Sequence, residues 1–496
     1  MLPGGSLRHR GSHNVTDSMM RLNSVVKDSA RRFKGLPFLA KLMFIFSLVV
    51  SLLLYGFIFQ YFVKTDIKDD KFLENDFCPA CLGHSGCGLI YFDQVHLSGL
   101  SGYRVNQIFN TKNIYYGSMG DQKIVFKKLG SDTEIRELDK KICKEANRPE
   151  GCDVPRVLFK TDASIELRKE ALQPKHLKQS VGMFTCASYR LLDRLWTYYK
   201  EKRKEDMIML GDKMQLWYTA NLNSEPLLLQ TFPASERWPF PHYYGACGRH
   251  ILVEHVGKTL EEYRNEPFHK RAGIAYELLK IAELLTNNNE DFALYMTDLN
   301  WENFGVDAAG KVRILDAENI IVVDKLALEA KKPRKYDEFL QSMHHLCEDS
   351  RCLAFNANDL CTRLHSDHNY YAVCFNLLDP LMTDPLMPGG LLHNMPEEAK
   401  DFWDLEHLLN ECTRPSKIKG RILAKDKLMT ALMNLRDQST GHQNKPDMGM
   451  YHGRDLPVKE EDFDLVPRKE GGFQAIPKKN QEVEKAGNQD GQAKSE

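Results

Sequence analysis

Between Lys41 and Lys64 lie 22 residues without a charge, mostly Leu, Phe, Ile and Val. As a helix rising 1.5 Å per residue they span roughly 33 Å, enough for a hydrocarbon core of about 30 Å. The pattern predicts one transmembrane helix over 42–63. Beyond it the apolar residues recur at shorter periods. In Arg271–Asn287, Ile274, Leu278, Ile281 and Leu285 follow the helical repeat. Phe292–Met296 is a short apolar segment, and Phe304–Val306 with Val312–Leu315 flank a turn, 307–310, that carries Asp and Gly. This reads as a hairpin. Tyr115–Gly120 and Ile124–Lys127 read as paired strands. Gly245–Gly248 is a tight turn before an apolar strand, Arg249–Val253, that runs into Glu254-His255-Val256-Gly257. Asp212–Gln230 has a helical set of apolar residues interrupted by Pro226, which a continuous helix does not tolerate. From 437 to 496 Lys, Glu, Asp, Gln, Asn and Gly dominate, a composition expected to be disordered.

Charge orients the span. Residues 1–41 hold eight Lys or Arg against Asp17 and Asp28. Just past the span, Asp66, Asp69, Asp70, Glu74 and Asp76 outnumber Lys64, Lys68 and Lys71. The positive-inside rule puts residues 1–41 in the cytosol and the remainder in the lumen. The long basic lead, without a clear small-residue cleavage site, predicts a retained anchor. All 12 Cys lie beyond the span, which fits an oxidising lumen. Cys78, Cys81 and Cys87 with His84 could form a zinc cluster, but paired C-x-x-C units are the usual zinc pattern, so disulfides are expected and zinc is not. Spacing alone leaves the pairing open, although Cys347, Cys352, Cys361, Cys374 and Cys412 are expected to staple the C-terminal half. The sequon Asn14-Val15-Thr16 falls on the cytosolic side. A net charge of −1 and a pI near 7.0 offer no footprint for nucleic acid.

The candidate chemistry is concentrated in Asp298-Leu-Asn-Trp-Glu-Asn303, followed by Asp316 at the end of an apolar run. Phosphoryl transfer needs a carboxylate to orient and deprotonate an attacking hydroxyl, and an amide and a second carboxylate to hold metal ions. Asp298, Asn303 and Asp316 supply these groups in that order, with the Asp-to-Asn step of H-R-D-x-x-x-x-N. Ile124-Val-Phe-Lys127 resembles V-A-I-K, whose Lys reaches nucleotide phosphates. Lys128 is adjacent, but strand alternation sends it to the other face. The strand ending at Glu254 resembles the segment whose backbone hydrogen-bonds an adenine. The carboxylate that should pair with Lys127 is Glu225, with Glu134 as the alternative.

Together these segments resemble a known group, the divergent protein kinase domain family of the secretory pathway, in its domain-2 branch. The carrying residues are Phe77-Cys-Pro-Ala-Cys81, Ile124–Gly130, Arg190-Leu-Leu-Asp-Arg194, Pro241–Gly248, Leu294–Asn319 and Asp367–Cys374. The resemblance implies an α+β, bilobal kinase-like fold in the lumen behind one transmembrane helix. Its expected parts are a cytosolic tail (1–41), the span (42–63) and a Cys-containing stalk (64–90). An N-lobe with a helical insertion (91–256), a C-lobe (257–436) and the polar tail (437–496) follow. Lys127, Asp298, Asn303 and Asp316 would line a cleft for ATP with Mg²⁺ or Mn²⁺. No EF-hand loop is present, so calcium control is not carried over.

The departures are as informative. Met296-Thr297 replaces the His-Arg before the catalytic Asp, and Ala317-Glu318 replaces the Phe-Gly after the metal Asp. No G-x-G-x-x-G precedes Lys127, the nearest candidate being Gly99-Leu-Ser-Gly102, and there is no A-P-E motif. Two functions stay open. One is a kinase of the Golgi or endoplasmic reticulum acting on a hydroxyl of a secretory protein or glycan. The other is a pseudokinase whose luminal or shed domain binds a partner.

Overall fold

The structure is a computed structural model. It describes residues 37–437 except 62, 105, 107–109, 111, 178–179, 204–207, 345–352 and 382–388, together with 463–467 and 473–477. Phe38–Tyr61 forms α1, a helix long and apolar enough to cross a membrane. The cytosolic tail expected over 1–41 lies outside the described residues up to 36.

A five-stranded sheet, in the order β1-β2-β3-β5-β4, builds the first lobe. Its strands are β1 (His96–Leu97), β2 (Ile114–Met119), β3 (Gln122–Lys128), β4 (Tyr243–Cys247) and β5 (His250–Glu254). All neighbours are antiparallel, with Lys127 opposite Ile114 and Ile251. Alternation along β3 sends Ile124 and Phe126 to one face, where they join Phe72, Leu73, Ile90 and Leu252 in a core cluster of their own. Residues 64–90, expected as a stalk, are therefore largely part of this lobe. Cys87 is bonded to Cys247 of β4, and Leu82 N–H bonds to Gly248 O across the β4–β5 turn. That turn requires glycine: Gly248 has φ +60°, and a Cβ there would fall 1.9 Å from Leu73 O.

Between β3 and β4 lies the helical insertion. Its main helices are α2 (Asp132–Glu145), α3 (Tyr189–Arg203), α4 (Leu210–Leu222) and α5 (Glu225–Thr231). The helix expected over Asp212–Gln230 is in fact two. Pro226 falls in the first turn of α5, where a missing N–H costs nothing, and Asn223-Ser224 make the break. Ser131 and Glu134 cap α2 reciprocally.

The second lobe is mainly helical. α6 (Phe268–Thr286) packs against α7 (His368–Val373) and α9 (Gly420–Asp437), with α8 (Leu405–Thr413) on α9. It also carries two small sheets: three-stranded β6-β8-β9, of β6 (Lys258–Thr259), β8 (Phe304–Val306) and β9 (Val312–Ile314), and the pair of β7 (Phe292–Tyr295) with β10 (Ile321–Asp324). Five disulfides join all ten described cysteines: 78–81, 87–247, 143–152, 186–361 and 374–412. Cys361 thus ties the second lobe to the insertion, whereas among the described residues only Cys374–Cys412 lies within that lobe as expected. Cys347 and Cys352 lie outside the described residues. In the tail expected to be disordered, the structure describes an antiparallel pair, β11 (Phe463–Pro467) with β12 (Phe473–Pro477), in a unit separate from the rest. The remainder of that tail lies outside the described residues.

Candidate active site

A cavity of about 620 Å³ is bordered by both lobes and is lined by Lys127, Glu254, Asp298, Asn303 and Asp316. Each reaches it from a short element end. Lys127 stands near the end of β3, and Asp298 follows β7 by three residues. Asn303 closes the turn Trp301–Asn303, and Asp316 lies two residues past β9. Asn303 is held beside Asp316 because Leu315 N–H donates to Asn303 O at 2.7 Å.

Lys127 Nζ lies 2.6 Å from Glu225 Oε2 and 3.5 Å from Asp316 Oδ1. Burial alone would lower the Lys127 pKa, but Glu225, Asp316 and Glu318 outweigh it and lift the ammonium to about 12. Burial pushes the Glu225 carboxyl up to about 8; Lys127 opposes the rise, and the nearby Asp316 and Glu318 add to it. Glu225 is 1% exposed and its N–H donates to Asn223 Oδ1 at 2.9 Å. The alternative, Glu134, accepts Ser131 N–H at 2.7 Å and serves as a helix cap. Lys128 also borders the cavity, but its ammonium goes to Glu74 at 2.6 Å.

Asp298 accepts from Asn300 Nδ2 at 2.7 Å. Burial, then the charge of Asp316, raise its pKa, while Asn303 works against them. Glu254 lines the cavity, but its N–H donates to His242 O and its carboxylate accepts His242 N–H, so a backbone contact to a ligand falls to its carbonyl. Gly99–Gly102 is not part of the site: Thr65 N–H donates to Gly102 O, tying that loop to the chain just after α1.

Residues outside the motif hold it in place. His368 Nε2 lies 2.9 Å from Met296 O, and its Nδ1 faces Ser342 Oγ, which assigns the proton to Nε2. Burial drives the His368 pKa down to about 4, so the ring is neutral. Asn369 Oδ1 accepts Met296 N–H at 3.0 Å, and its amide donates to Leu294 O at 2.9 Å. Both backbone groups of Met296, the residue standing where a His-Arg pair would begin, are thus fixed by α7. Next to α7, Asp367 and Arg421 form a fully buried ion pair. On the other side, Asn223 Nδ2 donates to the Glu318 carboxylate and Ser224 Oγ to Glu318 O. The Lys127-pairing turn and the Asp316 segment are therefore bonded to each other. Motif spacing does not reveal these residues; the signal in the sequence is the segment Asp367–Cys374.

Two further groups of possible metal ligands fail on chemistry. Cys78 and Cys81, beside His84, are consumed in a disulfide. His176 faces Glu166 and Glu170 through Nε2, but its Nδ1 accepts Gln173 N–H, so Nε2 must carry the proton and cannot ligate.

A family model described as the protein-kinase domain of FAM69 matches residues 216–415. The chain is similar to divergent protein kinase domain 2A of Xenopus tropicalis, 38% identical over 434 residues, which are 85% of this chain and 100% of the relative. It is 39% identical over 385 residues to the Homo sapiens protein of that name, covering 75% of this chain and 90% of the relative. To divergent protein kinase domain 2B of Homo sapiens it is 32% identical over 355 residues, 69% of this chain and 78% of the relative.

Proposed function

Since the chain belongs to the divergent protein kinase domain 2 family, we propose that its cleft binds ATP with Mg²⁺ or Mn²⁺ and transfers a phosphoryl group to a hydroxyl of a secretory protein or glycan. One observation carries the reading: Lys127, Asp298, Asn303 and Asp316 line a single cavity, with Glu225 on Lys127. The cavity lining also argues for an ion-paired ligand. Three lysines (112, 127, 128) stand against seven carboxylates (Glu134, Glu254, Glu261, Asp298, Glu302, Asp316, Glu318). A bare polyanion would be repelled there, whereas one carrying divalent cations is not. Bound Mg²⁺ or Mn²⁺ would supply the charge that bridges nucleotide phosphates.

In this reading Asp316 and Asn303 hold the metal and Lys127, steadied by Glu225, contacts the phosphates. Asp298 orients the acceptor hydroxyl and takes its proton, a role that a carboxyl raised by burial performs better than an ordinary one. The Glu254–Gly257 strand end borders the base. α1 anchors the protein as a type II membrane protein of the Golgi or endoplasmic reticulum, with the disulfide-bonded domain in the lumen.

A second reading is a pseudokinase whose luminal or shed domain binds a partner. The Asn300 amide already on Asp298 favours it, because that bond occupies part of the carboxylate an acceptor hydroxyl would need. The full chain in detergent micelles separates the two. A thermal shift with ATP and Mg²⁺ or Mn²⁺, followed by phosphotransfer onto secretory proteins or glycans, supports the enzyme. No shift in correctly oxidised protein supports the partner-binding reading.

A further inference from the structure

A kinase scaffold covers nucleotide phosphates with the loop between its first two strands, using the backbone amides of closely spaced glycines. In this chain that loop is residues 98–113. Neither of its glycines, Gly99 and Gly102, lines the cavity, and Gly102 accepts Thr65 N–H from the segment after α1. Its other end is built differently. The Asn110 side chain brackets Ile114, donating to Ile114 O at 2.6 Å and accepting Ile114 N–H at 3.1 Å. Asn113, at φ +53°, accepts Lys128 N–H at 3.0 Å through its carbonyl. The turn is thus fastened to the end of β3, one residue from Lys127, and it carries Lys112 on the cavity wall.

We propose that Lys112 is a phosphate-contacting residue of the cleft, with its ammonium doing what the backbone amides of a glycine-rich loop would do. The inference rests on the nucleotide reading above. Of the three lysines on the cavity wall, Lys127 is committed to Glu225 and Asp316, and Lys128 to Glu74. Lys112 is paired instead with Glu302, which lies on the loop between Asp298 and Asn303. Both partners are substantially exposed, at 58% and 44%. An exposed pair of this kind contributes little, so a polyphosphate carrying several charges displaces Glu302 readily. Glu302 then acts as a placeholder that keeps the ammonium over the cleft until nucleotide arrives.

The test uses the full chain in detergent micelles with Mg²⁺ or Mn²⁺, titrated with ATP and with adenosine. Lys112→Ala should weaken ATP about tenfold or more, since a charge-assisted contact is lost, and leave adenosine unchanged. Lys112→Arg should restore most of the ATP affinity. Glu302→Gln should tighten ATP by about threefold, because the competing carboxylate is gone. The adenosine affinity doubles as the check that each variant is folded. ATP binding that is indifferent to Lys112→Ala, or falls in step with adenosine, overturns the role of Lys112 while leaving the cleft a nucleotide site. A wild-type chain that binds neither ATP nor adenosine overturns the nucleotide reading itself, and this inference with it.

Discussion

His368 couples the segment leading to Asp298 to pH. It is completely buried, donates to Met296 O, and its pKa lies near 4 against 6.5 for a free imidazole. The folded form therefore resists protonation while the unfolded chain accepts a proton, and stability is fully present above pH 6.5 and lost as pH falls toward 4. A difference of about 2.5 pH units corresponds to about 3 kcal/mol once both states have titrated. Between pH 7.4 and pH 5 the expected loss from this one residue is about 2 kcal/mol. The measurement is urea unfolding of the full chain in micelles at both pH values, for wild type and His368→Gln. Glutamine keeps a donor for Met296 O and cannot charge. Other buried imidazoles such as His250, whose burial takes it down to about 3, remain in both proteins and cancel in the difference. Wild type should lose about 2 kcal/mol more than the variant on acidification. Parallel losses would show that His368 does not carry the coupling.

Asp316→Ala should abolish metal-dependent ATP binding, whereas Asp298→Ala should leave binding nearly intact and slow transfer by about 10²-fold or more. Lys127→Ala should weaken both. Equal effects from all three in binding and transfer assays would contradict the assigned roles. For topology, a tag at the N-terminus should be digested in intact microsomes and one placed beyond Lys64 protected; the reverse pattern would refute the orientation. For the disulfides, the chain-entropy relation gives about 5 kcal/mol for the Cys186–Cys361 loop, with a sequence separation of 175, against about 3 kcal/mol for Cys143–Cys152, with a separation of 9. Paired Cys→Ser variants unfolded in urea should keep that order, and stoichiometric zinc held through Cys78, Cys81 and Cys87 would contradict the pairing.

What was legible in the sequence was what local pattern encodes. The apolar span, the helix around Ile274–Leu285 and the hairpin turn at 307–310 were readable because period and turn chemistry lie within a few residues. Alternation separated the strand lysines by partner, Lys127 to Glu225 and Lys128 to Glu74, although both border the cavity. Less legible was anything set by tertiary contact. Pro226 argues against one continuous helix over Asp212–Gln230, yet it marks the start of a helix whose first residue is Glu225. The usable sign was Asn223-Ser224 just ahead of it, a polar pair suited to ending one helix and opening another. Residues 64–90 read as a stalk because Phe72, Leu73 and Ile90 are too scattered to show a period, and their partners are strand residues far along the chain.

The departures from the kinase motifs and the arrangement of the cleft residues have one physical explanation. In H-R-D and D-F-G the residues that brace the metal and base groups adjoin them in sequence, so a motif can be written down. Here the bracing comes from a distance and takes hold of backbone. His368 and Asn369 bind the carbonyl and amide of Met296, and Ser224 binds the carbonyl of Glu318. Gly182, at φ +60°, lies so close to Glu318 O that a Cβ would fall 2.0 Å from it. Every residue has a carbonyl and nearly every one an N–H, so such backbone groups impose no side-chain identity on the positions they hold. Met296 and Thr297 can then differ from His and Arg while the loop beyond them keeps its course. Loss of a contiguous motif is for that reason poor ground for declaring the site dead. The groups whose identity chemistry does dictate, Lys127, Glu225, Asp298, Asn303 and Asp316, are the ones this chain brings to a single cleft.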